Sequence, residues 1–375
     1  MSSSPPGSVR RKIIFSNYDD LKNPYYGGGG ARAVHEVARR LAARHDVRVV
    51  TGPYPASRDE IVDGVSYVRI GGRRVGPKAG QLLFQFLLPA RVRRESFDVW
   101  VESLTPPFST GCLQLFTRQP VIALTQVMAG KAMSRKYGLP FAAVERAGLK
   151  TYRFAIALSQ HLKGELERAN PKLRVAVIPN GIDRAQILAP VEKDERHILF
   201  LGRVDVEQKG LDLLLDAVKS VAQELPVPLF IAGSGAARDE AFVARRIVEL
   251  DLGGKVQALG RVEGARKQEL LRQALFLAMP SRFEASPLVA VEAFCAQLPV
   301  VLFGIPELAD LPDSCCLKVP PLDVAALGRA MVRLTRDGDL RRAMGRAGKD
   351  YAWRFDWDDL ATKYEDFFET ALKSG

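Results

Sequence analysis

The sequence predicts an α/β protein made of two doubly wound, Rossmann-like domains in tandem. Three observations predict it. Short apolar runs suited to buried strands alternate with stretches of helical periodicity along most of the chain. The first such unit reads strand, glycine loop, helix, strand, which is how a doubly wound domain opens. The alternation restarts near residue 185, and 375 residues are too many for one ordinary core.

Residues 1–11 read as a flexible tail that is polar and lacks an apolar signal core. Residues 12–16 (KIIFS) are apolar enough for a buried strand, and residues 17–30 form a turn-rich loop ending in YYGGGG. Residues 31–44 are helical, with Val34, Val37, Ala38 and Leu41 on one face. Strands follow at 46–51 (DVRVVT), 65–70, 97–102 (FDVWVE), 121–125 (VIALT), 155–159 (AIALS) and 175–179 (VAVIP). The first domain is therefore 12–185. A second domain, 186–352, has strands at 197–201 (HILFL), 228–232 (PLFIA), 256–259, 275–279 and 299–303. Its helices are expected at 210–225, 237–250, 264–273, 287–295 and 325–337. Residues 353–375 contain a closing helix.

The formal net charge of +11 favours an anionic partner: a phosphorylated small substrate, an anionic membrane surface or nucleic acid. Solubility alone would also explain it. The four cysteines, Cys112, Cys295, Cys315 and Cys316, form no CxxC pair, which argues against a zinc site or a disulfide framework and suits a reducing cytoplasm. No run of about 18 apolar residues is present, so no spanning helix is expected.

Three segments carry candidate chemistry. Gly27–Gly30 precede a helix, where backbone N–H groups can approach an anion at the positive helix end. Their spacing is not GxGxxG, and no acid follows the second strand as in a dinucleotide site, which disfavours a nicotinamide cofactor. In LGRVDVEQKG, Arg203 and Lys209 flank a strand-to-helix turn where two cations could neutralise a diphosphate. In PSRFEASPLVAVEAFCAQLPVV, Glu284 lies in a loop and Glu292 on the following helix beside Val289, Ala293 and Ala296. An unpaired carboxylate is costly in that setting. A ribose diol would supply two donors, each charge-assisted bond being worth roughly 1.5–3 kcal/mol. The N–H groups of Ser286, Leu288 and Val289 at the helix start suit phosphate oxygens. The plainer readings are a ligand-free loop, solvated surface cations and a salt-bridged helix residue.

Taken together, these segments resemble the retaining family 4 glycosyltransferases of the GT-B fold. The matching segments are Glu284 and Glu292 with LPVV after them, Gly202-Arg203 with Lys209-Gly210, Pro179-Asn180-Gly181-Ile182-Asp183, and Ala232-Gly233-Ser234-Gly235. The glycine loop and the strand HDVRVVT match the family's opening unit, so the resemblance runs through nearly the whole chain in order. It implies two domains facing across a cleft, with the C-terminal helix (353–375) returning to the first domain. It implies that Arg203 and Lys209 hold the donor diphosphate beside Gly202, and that Glu292 binds the ribose. Glu284 would contact donor-sugar hydroxyls, Gly28, Gly29 and Gly30 would face the donor from the first domain, and Val262 would lie by the nucleobase. The reaction implied is transfer of a hexose-type sugar from a nucleoside-diphosphate sugar to an acceptor hydroxyl, with retained anomeric configuration and no bound metal or other cofactor. The acceptor would be a glycan, a lipid-linked saccharide or a small natural product.

One departure concerns catalysis. Many members of the family carry a histidine after the PVIALT strand, and here that position is Gln126. Glutamine can orient a sugar but cannot shuttle a proton near pH 7. His161 reads as a helix surface residue rather than a replacement, and Asp356-Trp357-Asp358 as a helix cap rather than a metal site. Residues 73–94 mix Arg73, Arg74, Lys78, Arg91, Arg93 and Arg94 with LLFQFLL, and Lys131, Arg135 and Lys136 follow. Three readings stand: an ordinary helix with its apolar side in the core, contact with an anionic membrane, or binding of a phosphorylated acceptor. The location expected is cytoplasmic, with peripheral contact at the inner membrane face under the second reading. A GT-B sugar-nucleotide epimerase is the rival within enzymes. A basic membrane- or nucleic-acid-binding protein is the rival outside them; the chain lacks the aromatic–basic interleaving of a nucleic-acid module, so no nucleic-acid partner is expected.

Overall fold

Eight strands build the first sheet: β1 (Lys12–Ser16), β2 (Asp46–Thr51), β3 (Glu60–Val62), β4 (Val65–Arg69), β5 (Val99–Leu104), β6 (Val121–Thr125), β7 (Phe154–Ala157) and β8 (Arg174–Val177). Across the sheet the order is β3-β4-β2-β1-β5-β6-β7-β8. Every pairing is parallel except that of β3 with β4. The computed structural model describes residues 9–24, 29–72, 76–106, 108–191 and 193–374. The chain divides into two units, Met1–Gly181 with Trp357–Gly375, and Ile182–Asp356. These limits lie a few residues from the 185 and 352 read from the sequence.

Both faces of the first sheet are covered, as a parallel sheet requires. Ile13 and Phe15 of β1 enter one core layer and Ile14 the other, because successive strand side chains point to opposite faces. One layer is closed by the helices Gly29–Leu41 and Trp357–Lys373. Trp357, Leu360, Tyr364, Phe368 and Ala371 recur at helical spacing and pack with Val34, Val37 and Leu41. Ion pairs reinforce the contact, Arg40 to Asp358 at 2.6 Å and Arg44 to Glu365 at 3.0 Å, and His45 shares a hydrogen bond with Glu365 at 2.9 Å. The C-terminal helix thus belongs to the first unit although it ends the chain.

In the hairpin β3–β4, β4 is the strand expected at 65–70, whereas β3 has no counterpart in the sequence reading. The turn is Asp63-Gly64, with φ of 50° and 79°, the backbone a two-residue hairpin turn favours. The helix expected over 31–44 runs Gly29–Leu41, so two of the four loop glycines are already helical. The strand expected at 97–102 is β5, two residues later, and Phe97 instead packs edge-on against Trp100 at 5.3 Å.

The second sheet holds β9 (His197–Leu201), β10 (Leu229–Ala232), β11 (Val256–Gly260), β12 (Ala274–Met279), β13 (Val300–Phe303) and β14 (Cys316–Val319). Its order is β11-β10-β9-β12-β13-β14, all parallel. The helix expected over 210–225 runs Leu211–Ser220, and a four-residue helix, Val206–Lys209, precedes it. Gly210, at φ 65°, separates the two. Strand β14 and the helix Gly338–Ala352 were not legible: the strand is a four-residue edge, and the helix is rich in charge and glycine. The four cysteines are free. Among the described residues no helix is long and apolar enough to cross a membrane.

Candidate active site

In the second sheet β9 and β12 are neighbours although the chain visits β10 and β11 between them. A crevice opens outside the carboxyl ends of strands at such a reversal of order. The loops leaving those two ends are residues 202–210 and 280–287, the two segments singled out by sequence.

Close backbone contacts fix these loops. Gly202 N–H donates to Ala232 O at 3.0 Å, Gly233 N–H to Gly260 O at 2.8 Å and Val204 N–H to Ser234 O at 3.0 Å. A Cβ on Gly233 would stand 1.7 Å from Gly202 O, and one on Gly210 would stand 2.0 Å from Pro280 O. Both residues also have positive φ, so glycine is required there twice over.

A concave pocket of about 320 Å³ lies on this edge. Gly202, Arg203, Val262, Val289 and Glu292 line it, as does Lys267, which the sequence reading did not include. Lys267 Nζ donates to Glu292 Oε1 at 2.6 Å. Glu292 is thus the half-buried, salt-bridged helix residue of the plainer reading, its side chain 22% exposed with a cation beside it, and its setting is less apolar than its neighbours in sequence suggest. Glu284 is the more enclosed acid, 5% exposed, and Lys209 Nζ donates to its Oε1 at 2.6 Å. Ser281 Oγ donates to the same oxygen at 2.6 Å. Arg203 is exposed, with Nη2 donating to Gln208 Oε1 at 2.7 Å. Ser286, Leu288 and Val289 are half-buried at the start of the helix Leu288–Cys295, whose first N–H groups have no acceptor in the preceding turn.

Arg282 is a second residue missed by sequence. It grips Asp212 with two bonds, Nη1 to Oδ1 at 2.9 Å and Nη2 to Oδ2 at 2.7 Å. Burial pushes the Asp212 carboxyl up, but the guanidinium outweighs it and holds the carboxyl below its ordinary value.

In the first unit, Gly29 and Gly30 open the helix Gly29–Leu41, while Gly27 and Gly28 lie outside the described residues. Gln126, directly after β6, lies over Gly30: a Cβ there would meet Gln126 Nε2 at 2.9 Å. Sequence placed both in the site, and the fold puts them in contact. Nearby, Ser103 Oγ and Thr125 Oγ1, late in β5 and β6, are buried without a hydrogen-bond partner in the described residues. Glu102 is fully enclosed and accepts from Gly111 N at 2.6 Å and from Tyr152 Oη. Burial pushes its carboxyl up to about 7.

The histidines lie elsewhere. His35 bonds Tyr67 and Asp63, His45 bonds Glu365, and His197 stacks on Phe230. His161 sits on the helix Gln160–Ala169, 4.0 Å from Glu165. Asp356 is buried against Arg184, whereas Asp358 pairs with Arg40, so the two acids have different partners. Among the described residues no group of three or more His, Cys, Asp or Glu is placed to hold a metal ion.

Two family descriptions match in tandem: Glycosyltransferase Family 4 over residues 27–186 and Glycosyl transferases group 1 over residues 195–337. The chain is also 30% identical over 368 residues to the phosphatidyl-myo-inositol mannosyltransferase of Mycobacterium leprae, covering 93% of this chain and 94% of that one. The chain belongs to glycosyltransferase family 4. The fold of this glycosyltransferase agrees with the assignment. Sucrose-phosphate synthase from Thermosynechococcus elongatus superposes with a TM-score of 0.78 at 21% identity, covering 98% of this chain and 100% of that one. Anabaena HepE in complex with UDP and glucose gives 0.71 at 16% identity, over 95% and 99% of the two chains. The two parallel-sheet α/β domains are those of the GT-B glycosyltransferases.

Proposed function

We propose that this glycosyltransferase moves a hexose from a nucleoside-diphosphate sugar to an acceptor hydroxyl, retaining the anomeric configuration and needing no bound metal. The observation that carries the reading is that Arg203, Val262 and Glu292 line one pocket outside the ends of the switch-point strands. In this reading Glu292 accepts from the ribose hydroxyls, releasing Lys267, and Val262 packs on the nucleobase. Arg203 and Lys209, with the N–H groups of Ser286, Leu288 and Val289 and the backbone at Gly202, hold the diphosphate. As the sugar–phosphate bond breaks, negative charge grows on the leaving group, and preorganised cations stabilise that state more than the ground state. Glu284 orients donor-sugar hydroxyls. The acceptor hydroxyl attacks on the face the diphosphate leaves, and the departing phosphate oxygen takes its proton.

The mycobacterial relative is named for a mannosyl transfer to phosphatidyl-myo-inositol, and HepE was seen with UDP and glucose. Both names support a hexose, the second supports a nucleoside-diphosphate donor, and the first supports an acceptor carrying a lipid. The deciding experiment is a thermal-shift panel of UDP-, GDP-, ADP- and dTDP-sugars, followed by NMR of the product's anomeric centre. No shift with any of the four, or an inverted anomer, would refute the reading. Turnover should survive EDTA.

A second element of the proposal is contact with an anionic membrane through the first unit. The helix Pro77–Arg94 buries Phe84, Leu88 and Val92 in the core, as an ordinary helix does, yet it leaves Phe86 73% exposed, with Leu82 and Leu87 also exposed. Leu115, Tyr137 and Leu139 are exposed too. Residues 64–94 and 103–164 contain a single acid, Glu145, which is buried. Arg73 and Arg74 lie outside the described residues, whereas Lys78, Arg93, Arg94, Lys131, Arg135 and Lys136 are exposed. Flotation with vesicles containing phosphatidylglycerol, but not with pure phosphatidylcholine, is expected at low salt. Absence of flotation removes this element and leaves the donor chemistry standing.

A further inference from the structure

We propose that Arg282 is a positioning residue that sets Lys209 against Glu284 by capping the helix Val206–Lys209 and tying it to Asp212. The proposal rests on the donor-binding reading of Lys209 and Glu284 given above.

A helix of four residues cannot hold itself, because nucleation costs more than one hydrogen bond returns. Its amino end is capped by Asp205, which accepts from Gln208 N at 2.9 Å. Its carboxyl end stops at Gly210 and leaves carbonyls without helical donors. Arg282 supplies donors there: Nη1 reaches Glu207 O at 3.0 Å and Val206 O at 3.3 Å. Its backbone N–H donates to Gln208 O at 2.9 Å. The same guanidinium holds both carboxylate oxygens of Asp212 on the next helix. The planar fork holds both oxygens of Asp212 in parallel while still reaching the carbonyls, a fixed bidentate geometry that a point-charge ammonium does not offer.

Arg282 stands two residues before Glu284 and would compete with Lys209 for that carboxylate if it were free. Asp212 occupies it. The Glu284 carboxylate therefore accepts from Lys209, and the ammonium stays at the strand ends where the diphosphate is proposed to bind.

The test compares Arg282→Met, Arg282→Lys, Asp212→Asn and Lys209→Ala in the full chain, reading donor KM, acceptor KM, kcat and melting temperature. Arg282→Met is expected to lower kcat/KM for the donor by roughly tenfold or more, with acceptor KM within about twofold. Arg282→Lys should recover only part, and Asp212→Asn should shift the donor parameters in the same direction. Adding Asp212→Asn to Arg282→Met should cost little more, since both remove one brace. A lower melting temperature with unchanged donor kinetics overturns the proposal, because a merely structural residue behaves that way. If Arg282→Met does not fold, Arg282→Lys and Asp212→Asn decide the matter by the same readouts. Donor kinetics unchanged in the Arg282 and Asp212 variants, with Lys209→Ala crippled, overturns the brace alone. Lys209→Ala with normal donor kinetics overturns the donor reading and the brace with it.

Discussion

The ammonium of Lys209 stands 2.6 Å from Glu284 Oε1, and that oxygen also accepts from Ser281 Oγ at 2.6 Å. Glu284 is nearly enclosed, so the carboxylate depends on both donors. Removing Lys209 leaves a buried charge with one neutral donor, at a cost of roughly 1–3 kcal/mol. We expect Lys209→Ala to lower the melting temperature and to reduce kcat/KM by about 10- to 100-fold, the equivalent of one charge-assisted bond. Near-normal turnover would contradict the assignment.

Glu292 and Lys267 give a separate test. If ribose hydroxyls replace Lys267 as donors to Glu292, a 2′-deoxy donor should bind less tightly than the ribo form. Glu292→Ala should bind both equally weakly. The coupling is read as a double cycle of protein variant against ligand, by calorimetry. An unchanged ribo-to-deoxy ratio in Glu292→Ala would place the ribose elsewhere.

Gly210→Ala and Gly233→Ala should each be poorly tolerated. The added Cβ would meet a carbonyl oxygen at 2.0 Å and 1.7 Å respectively, at backbone angles an L-residue avoids. The left-handed backbone alone costs about 1–2 kcal/mol. Relief of the overlap moves the loop after β9, so nucleotide-sugar affinity should fall together with thermal stability. Gly253→Ala, with open space around its Cβ position, is the control.

The carboxyl of Glu102, raised to about 7 by burial, ties stability to pH. An unfolded glutamate ionises near 4.3. Between those values the native state holds a proton that the unfolded state has released. The contribution is present in full below the unfolded value and is lost as pH rises through about 7. Glu102→Gln should flatten the fall in melting temperature between mildly acidic and mildly alkaline solution. A variant with the same pH slope as the parent would show that Glu102 is ionised throughout.

Much of the site was legible because it is written in residues that only a few backbone geometries accept. Gly202, Gly210 and Gly233 mark points where strands hand over to loops that touch one another. Strands such as β1, β2, β6 and β9 matched their apolar runs residue for residue, because buried parallel strands are read by composition. Strand β3, and with it the hairpin to β4, was missed because three residues carry too little pattern, although Asp63-Gly64 was the turn signal. The helix expected over 210–225 ends at Ser220, and the short helix before Gly210 was missed because Val206–Lys209 has no buried residue to mark a face.

The order of apolar runs and the glycines determined the two-sheet architecture from the chain alone, and the acid–cation motifs picked out residues 202–210 and 280–287, which leave two neighbouring strands. Which cation meets which acid did not follow from it. Lys267 reaches Glu292 across 25 positions, and Arg282 reaches Asp212 across 70. Such pairs form between side chains carried by different helices and loops, and their meeting depends on how those elements pack on the sheet. Burial followed the same rule: the loop acid Glu284 is more enclosed than the helix acid Glu292, the reverse of what their local sequences suggest. Periodicity reports which side of an element faces the core, whereas solvent access at a strand end is set by neighbours far away in the chain.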